Sequence, residues 1–191
     1  MQFKNTTLVE NEMDGRVLWI TGLSGAGKTT LARELYLCLQ SLGVKTLLLD
    51  GDDLRKVFFS HQNNIRDYDF HQRLSLSFKY SKLCKLLADQ GFTIVIATIS
   101  MFKEVYKLNR NQLPNYFEIY LKVPYAELRR RNSKNIYSDF EKGLINNVMG
   151  LDLAISEPTK ANLVIEFDSE VKPSDTAKQI LATLNIINSE P

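Results

Sequence analysis

The residues most plainly equipped for chemistry are Gly22-Leu-Ser-Gly-Ala-Gly-Lys-Thr-Thr30. The run satisfies the Walker A pattern, a glycine-rich loop whose backbone N–H groups surround a polyphosphate. Glycine allows the backbone conformations and the close approach that such a cradle needs. A helix beginning at Lys28 would add its N-terminal dipole. Gly22, Ser24, Gly25, Ala26, Gly27, Lys28, Thr29 and Thr30 are therefore the expected ATP-binding segment. Lys28 should reach the β- and γ-phosphates, and the Thr29 hydroxyl should coordinate Mg2+.

A second cluster follows at Leu48-Leu-Asp50-Gly-Asp52-Asp53-Leu-Arg55. Carboxylates at the carboxyl end of a parallel strand, beside the phosphate loop, stand where α/β sheets bind ligands. Asp52 is placed to orient an acceptor hydroxyl or take its proton, Asp50 to support magnesium or the loop, and Arg55 to hold an anionic group. A bare turn and helix cap is the competing reading of the same aspartates. Neither a guanine-reading Asn-Lys-x-Asp nor a Walker B strand is visible, which favours a kinase over a GTPase or motor ATPase.

These residues need a sheet and helices to hold them. Short apolar runs predict strands over Val17–Thr21, Thr46–Leu49, Phe92–Thr98, Phe117–Lys122 and Leu163–Phe167. Helical periodicity predicts Lys28–Leu42, His71–Gln90, Lys103–Arg110, Tyr125–Arg130 and Ser174–Ile187, with Gly43 and Gly91 at C-terminal caps. The expected fold is α/β, a three-layer P-loop NTPase domain with a mainly parallel five-stranded sheet. Phe59 to Phe70 and Asn132 to Lys160 lack a sustained period and read as long loops of the kind that form lids.

The 191 residues suit one domain over 16–191 behind a loose arm of residues 1–15, with a mobile lid over about 131–160. The net charge of +2 supplies no basic field for nucleic acid. No apolar run approaches the roughly 18 residues of a membrane span, and no h-region opens the chain. Cys38 and Cys84 fit neither a disulfide framework nor a zinc site, so a cytoplasmic protein is expected. Trp19 reads as core, and His61 and His71 take no role.

In order and spacing, GLSGAGKTT, LDGDDLR, IVIATIS, RNSKNIY and the late GLxxxxEP resemble the adenylylsulfate kinases over about residues 16 to 187. That resemblance implies ATP-dependent phosphorylation of the 3′-hydroxyl of adenosine 5′-phosphosulfate, with Mg2+, in a homodimer with a mobile lid. It implies that Asp52, Arg55 and Arg73 bind the acceptor and that Ser100 matches an Ile-Ser-Pro serine, with Met101 replacing the proline and Lys103 an arginine. It also places Arg131, Lys134 and Tyr137 in a basic lid, where Arg131 would cap the transferring phosphoryl group.

The acceptor end departs from the family pattern. Val148 stands where a phenylalanine usually stacks on adenine, a contact worth ~1–3 kcal/mol. Phe58, Phe59 or Tyr68 are candidate replacements, while Ser75 and Leu76 follow Arg73 in place of Glu-Asn. Ile155-Ser156 also replaces the later Tyr-Glu. Two alternatives follow: a cytidine diphosphoramidate kinase or related nucleotide-anhydride kinase of capsule biosynthesis, and a nucleotide-binding regulatory protein without acceptor chemistry.

Overall fold

The computed structural model describes residues 15–58 and 69–185. The elements run β1 (Arg16–Thr21), α1 (Lys28–Ser41), β2 (Thr46–Asp50), α2 (Gly51–Phe58), α3 (Phe70–Ala88), β3 (Thr93–Ala97), α4 (Lys103–Gln112) and β4 (Tyr116–Lys122). They continue through α5 (Tyr125–Arg131), a single 3-10 turn (Ser133–Asn135), α6 (Ile136–Glu141), β5 (Leu163–Glu166) and α7 (Pro173–Thr183).

The strands lie in the order β2-β3-β1-β4-β5, and every pairing is parallel. Parallel strands buried on both faces need no polar face, which is why β1 and β3 read as unbroken apolar runs. Alternation still sorts their side chains. Leu18, Ile20, Val95 and Ala97 join a core with Leu31 and Leu35 of α1 and Ile180 of α7. Val17, Trp19, Ile94 and Ile96 face the opposite core, with Leu76, Tyr80 and Cys84 of α3 and Val105 of α4. The result is the three-layer α/β P-loop fold expected from the sequence, with a wholly parallel sheet.

The five strands fall where the sequence predicts them, within a residue at most ends. Gly43 closes α1: its N–H donates to Gln40 O at 2.9 Å and the Val44 N–H to Leu39 O at 3.1 Å. Gly43 holds φ 75°, a conformation open to glycine at little cost.

Four features differ from expectation. Asp50-Gly51 leads straight into α2, an unforeseen helix in which the Asp52 N–H donates to Asp50 Oδ1 at 2.8 Å. Helix α3 begins at Phe70 rather than His71, because Asp69 and Gln72 form a reciprocal capping box. The polar stretch after Asn132 is not one loop but contains the 3-10 turn and α6. Helix α7 starts one residue early, at Pro173, and the expected end at Ile187 lies outside the described residues. No helix among the described residues is long and apolar enough to cross a membrane.

Candidate active site

The loop between β1 and α1 is shaped by two glycines. Gly22 has φ 149°, and a Cβ there would lie 2.7 Å from Leu121 O, so β4 approaches too closely for any side chain. Gly27 caps α1 in the left-handed region at φ 98°. Lys28 follows, and its Nζ donates to Leu23 O at 2.8 Å, lying along the loop. Burial pushes the Lys28 ammonium down to about 7. The Asp50 carboxylate opposes that fall, while Lys134 and Arg55 add to it by like-charge repulsion.

The Thr29 hydroxyl donates to Asp50 Oδ2 at 2.6 Å. A hydroxyl and a carboxylate held together at the mouth of a phosphate cradle are hard oxygen donors of the kind magnesium accepts, with phosphate oxygens and water completing the shell. The residues present thus fit a magnesium-bound nucleotide.

Beside this loop opens a cavity of about 760 Å³, lined among others by Ser24, Lys28, Asp50, Asp52, Arg55 and Arg73. Arg131, Lys134 and Val148 line it as well. Residues from β2, α2, α3, the end of α5 and the segment after α6 thus converge on one space. Asp52 forms ion pairs with both Arg55, three residues on in α2, and Lys134 of the 3-10 turn. Lys134 is the middle member of a left-handed series, with Asn132 at φ 40°, Lys134 at 59° and Asn135 at 57°. Asparagine tolerates that region better than most residues, and Asn132 also exchanges hydrogen bonds with Ser138.

Arg131 reaches the phosphate loop itself: its Nη1 donates to Gly25 O at 2.9 Å, and its guanidinium lies 4.7 Å from the Phe167 ring centroid. Glu127 holds Arg130 and Arg131 from one turn back, and those hydrogen bonds, Arg130's first, draw its carboxyl down to about 2. Tyr137 ties α6 to the same loop, donating to Ser24 O at 2.8 Å. Arg73 Nη2 donates to Asn147 O at 2.8 Å, joining α3 to the segment that carries Val148.

Asp152 was not singled out from the sequence, yet it organises that segment. Its two carboxylate oxygens accept the N–H groups of Asn147 (2.7 Å) and Val148 (2.6 Å). Asn-Val-Met-Gly-Leu-Asp is legible afterwards as an aspartate closing a turn, but the spacing alone carries no such signal.

Not every expected residue meets the cavity. Ser100 is buried behind the cavity wall that Thr98 and Ile99 form, and Gly22 and Ala26 shape the loop from beneath. Lys103 is exposed at the start of α4. Phe58 packs on Tyr80, with ring centroids 6.1 Å apart, rather than on the cavity; Phe59 and Tyr68 lie outside the described residues.

A family model described as adenylylsulphate kinase matches residues 14–166. A cytidine diphosphoramidate kinase of Campylobacter jejuni is 40% identical over 149 residues, covering 78% of this chain and 84% of the relative. An adenylyl-sulfate kinase of Pseudomonas aeruginosa is 34% identical over 170 residues, 88% of this chain and 84% of that one. The solved APS kinase of Mycobacterium tuberculosis, in complex with AMPPNP and APS, superposes with a TM-score of 0.81 at 25% identity, covering 90% and 98% of the two chains. The chain belongs to the adenylylsulphate kinase family of P-loop kinases.

Proposed function

We propose that this ATP-dependent phosphotransferase phosphorylates the 3′-hydroxyl of a nucleotide whose 5′-phosphate carries a second group in anhydride linkage, adenosine 5′-phosphosulfate in the first reading. The observation that carries the proposal is the position of Asp52. It lies on the rim of the phosphate-loop cavity, paired with Arg55 and Lys134, while Arg73 lines the same space. A carboxylate so placed can accept the hydroxyl proton, and the arginines can hold the anionic end of the acceptor. Thr29 and Asp50 would hold a magnesium ion, which would supply positive charge against the charge of the transferring phosphoryl group.

Lys28 and Arg131 each donate to a carbonyl of the loop, at Leu23 and Gly25 respectively. A triphosphate offers both cations a stronger acceptor than a neutral carbonyl, so they can turn to the γ-phosphate without a large rearrangement. Residues 131–160 would act as the lid, drawn onto the nucleotide by Arg131, Lys134 and Tyr137 and excluding water from the transfer.

A second acceptor, cytidine diphosphoramidate, is favoured by a specific observation. Val148 is 9% exposed and lines the cavity where the family places an aromatic stacking partner, and no described aromatic replaces it there. The Campylobacter relative is named for that acceptor. Both readings keep the same 3′-hydroxyl chemistry and differ in the base.

The test is ADP release from MgATP with each acceptor in turn. Turnover of adenosine 5′-phosphosulfate with kcat/KM at least tenfold higher than for cytidine diphosphoramidate supports the first reading, and the reverse ratio supports the second. Tight ATP binding with no turnover of either would refute the acceptor reading, and no turnover of any other nucleotide anhydride would favour a regulatory nucleotide-binding protein.

A further inference from the structure

Behind the cavity wall, three buried hydroxyls form a continuous chain between two cavity-lining residues, Thr98 and Arg73. Thr98 and Ser100 are each 5% exposed and Ser77 is 3% exposed. Thr98 Oγ1 lies 2.8 Å from Ser100 Oγ, Ser100 Oγ lies 2.8 Å from Ser77 Oγ, and Ser77 Oγ lies 2.8 Å from Arg73 O.

A hydroxyl has one proton to give, and a carbonyl has none. Ser77 must therefore donate to Arg73 O and accept from Ser100. Ser100 has then spent its proton and must accept from Thr98. All three bonds can be made with one arrangement of protons, running from the cavity wall towards α3.

The middle member sits in a strained turn. Ser100 has φ 33°, in the left-handed region that non-glycine residues rarely occupy and that persists only where surrounding contacts enforce it. That turn joins the main parts of the site. The Thr21 hydroxyl at the end of β1 donates to Ile99 O, the Ser156 N–H donates to Met101 O at 2.9 Å, and the Phe102 N–H donates to Ser100 O at 3.0 Å. The turn thus touches the strand before the phosphate loop and the segment returning from residues 131–160, while Ser77 ties it to the helix bearing Arg73.

We propose that Ser77 is a positioning residue for the acceptor. Through the one-way hydroxyl chain it holds the Ser100 turn and the first turns of α3 in register, and so fixes where the Arg73 guanidinium meets the acceptor's anionic group. The last clause rests on the acceptor reading given above. Without the Ser77 hydroxyl the chain is cut: Ser100 can only turn its proton back to Thr98, and the strained turn loses the bond that ties it to α3.

Ser77→Ala should raise the KM for the acceptor about tenfold, the loss expected for one buried hydrogen bond. The kcat and the KM for ATP should stay within about twofold, because the phosphate loop and Asp52 are untouched. Ser77→Thr, which keeps the hydroxyl, should restore the acceptor KM. Ser81 serves as the control: it is equally buried, one turn along α3, and donates to Ser77 O at 3.2 Å without joining the chain. Ser81→Ala should leave the acceptor KM unchanged.

Amide hydrogen exchange gives a readout that needs no acceptor. Ser77→Ala, unlike Ser81→Ala, should speed exchange at residues 98–102 and 70–77 together. An unchanged acceptor KM, equal effects from the two alanine variants, or unaltered exchange at residues 98–102 would overturn the proposal. If Ser77→Ala does not fold, Ser77→Cys, with its weaker S–H donor, should give an intermediate rise in acceptor KM, and no rise overturns the proposal equally. A wild-type protein inert towards both adenosine 5′-phosphosulfate and cytidine diphosphoramidate sinks the acceptor reading instead, and the exchange measurement then decides the hydroxyl lock by itself.

Discussion

Nucleotide binding should take up a proton, and Lys28 should be the group that takes it. Burial and the like charges of Lys134 and Arg55 push its ammonium down to about 7, with Asp50 only partly offsetting them. A polyphosphate against Nζ reverses the balance and returns the group towards its ordinary value, near 10.4. At pH 7 about half of the free protein carries the Lys28 proton, and at pH 8 about one-tenth does. Binding at pH 8 should therefore take up about 0.9 proton, and binding at pH 7 about 0.5. Affinity should fall about fivefold between these two values, or ~1 kcal/mol, while phosphate groups ionising near pH 6 contribute little. The stability of the free protein carries the opposite sign. Between about 7 and the ordinary lysine value the unfolded chain binds more protons than the folded one, so Lys28's share of stability rises with pH. The assay is titration calorimetry of MgADP in two buffers of different ionisation enthalpy, from which proton uptake is read directly. Uptake below about 0.2 proton at pH 8, or the same uptake in Lys28→Met, would refute the reasoning.

Asp52→Asn should lower kcat by about 100-fold or more while ATP affinity changes little, measured by steady-state kinetics beside calorimetry; an unchanged kcat removes Asp52 from proton transfer. Arg110→Met should destabilise the fold by ~3 kcal/mol in urea titration at pH 7, because it strands the fully buried Glu118 carboxylate of β4. That loss should shrink as pH falls, since burial already raises the Glu118 carboxyl above its ordinary range and protonation relieves the stranded charge. Tyr137→Phe removes the hydrogen bond to Ser24 O and should raise the KM for ATP several-fold, with a stability loss near ~1 kcal/mol by thermal denaturation.

The sheet and the phosphate loop were legible because their signals are local. Buried parallel strands such as Val17–Thr21 are continuous apolar runs, and the loop's glycines are dictated by backbone geometry within six residues of each other. Helix α2 was not legible: only Gly51 and Leu54 are buried among its eight residues, too little to make an apolar stripe. The turn after α5 hid for another reason. Its left-handed Asn132, Lys134 and Asn135 break any helical period, so the sequence reads as loop although its first part forms the 3-10 turn and α6.

Buried polar groups were the deepest omission. Ser77 and Ser81 sit on the inner face of α3, and Glu118 in the middle of β4, positions where pattern reading expects either apolar residues or solvent. Each is tolerated because it has a partner: Ser100 for Ser77, the carbonyl of Ser77 one turn back for Ser81, and Arg110 at the end of α4 for Glu118. One sequence gives only one of the two partners at a time. A lone glutamate in Tyr-Phe-Glu-Ile-Tyr-Leu-Lys is nevertheless a warning that a buried cation will be found, since a carboxylate is rarely buried unpaired.

Charge placement explains why the phosphate loop and the acceptor residues belong to one machine. The chain as a whole carries only +2, yet Lys28, Arg55, Lys56, Arg73, Arg131 and Lys134 line the cavity against Asp50 and Asp52. Such crowding is costly to the folded protein, and through Lys134 and Arg55 it adds to the burial that depresses Lys28. A triphosphate with magnesium bound cancels part of the excess, and the remainder suits a second anionic molecule in the same space. On the proposed reading, an acceptor that neutralises Arg55 and Lys134 removes two of the charges that lower Lys28. It should therefore tighten the binding of MgADP at pH 8, and equal affinities with and without acceptor would refute that coupling.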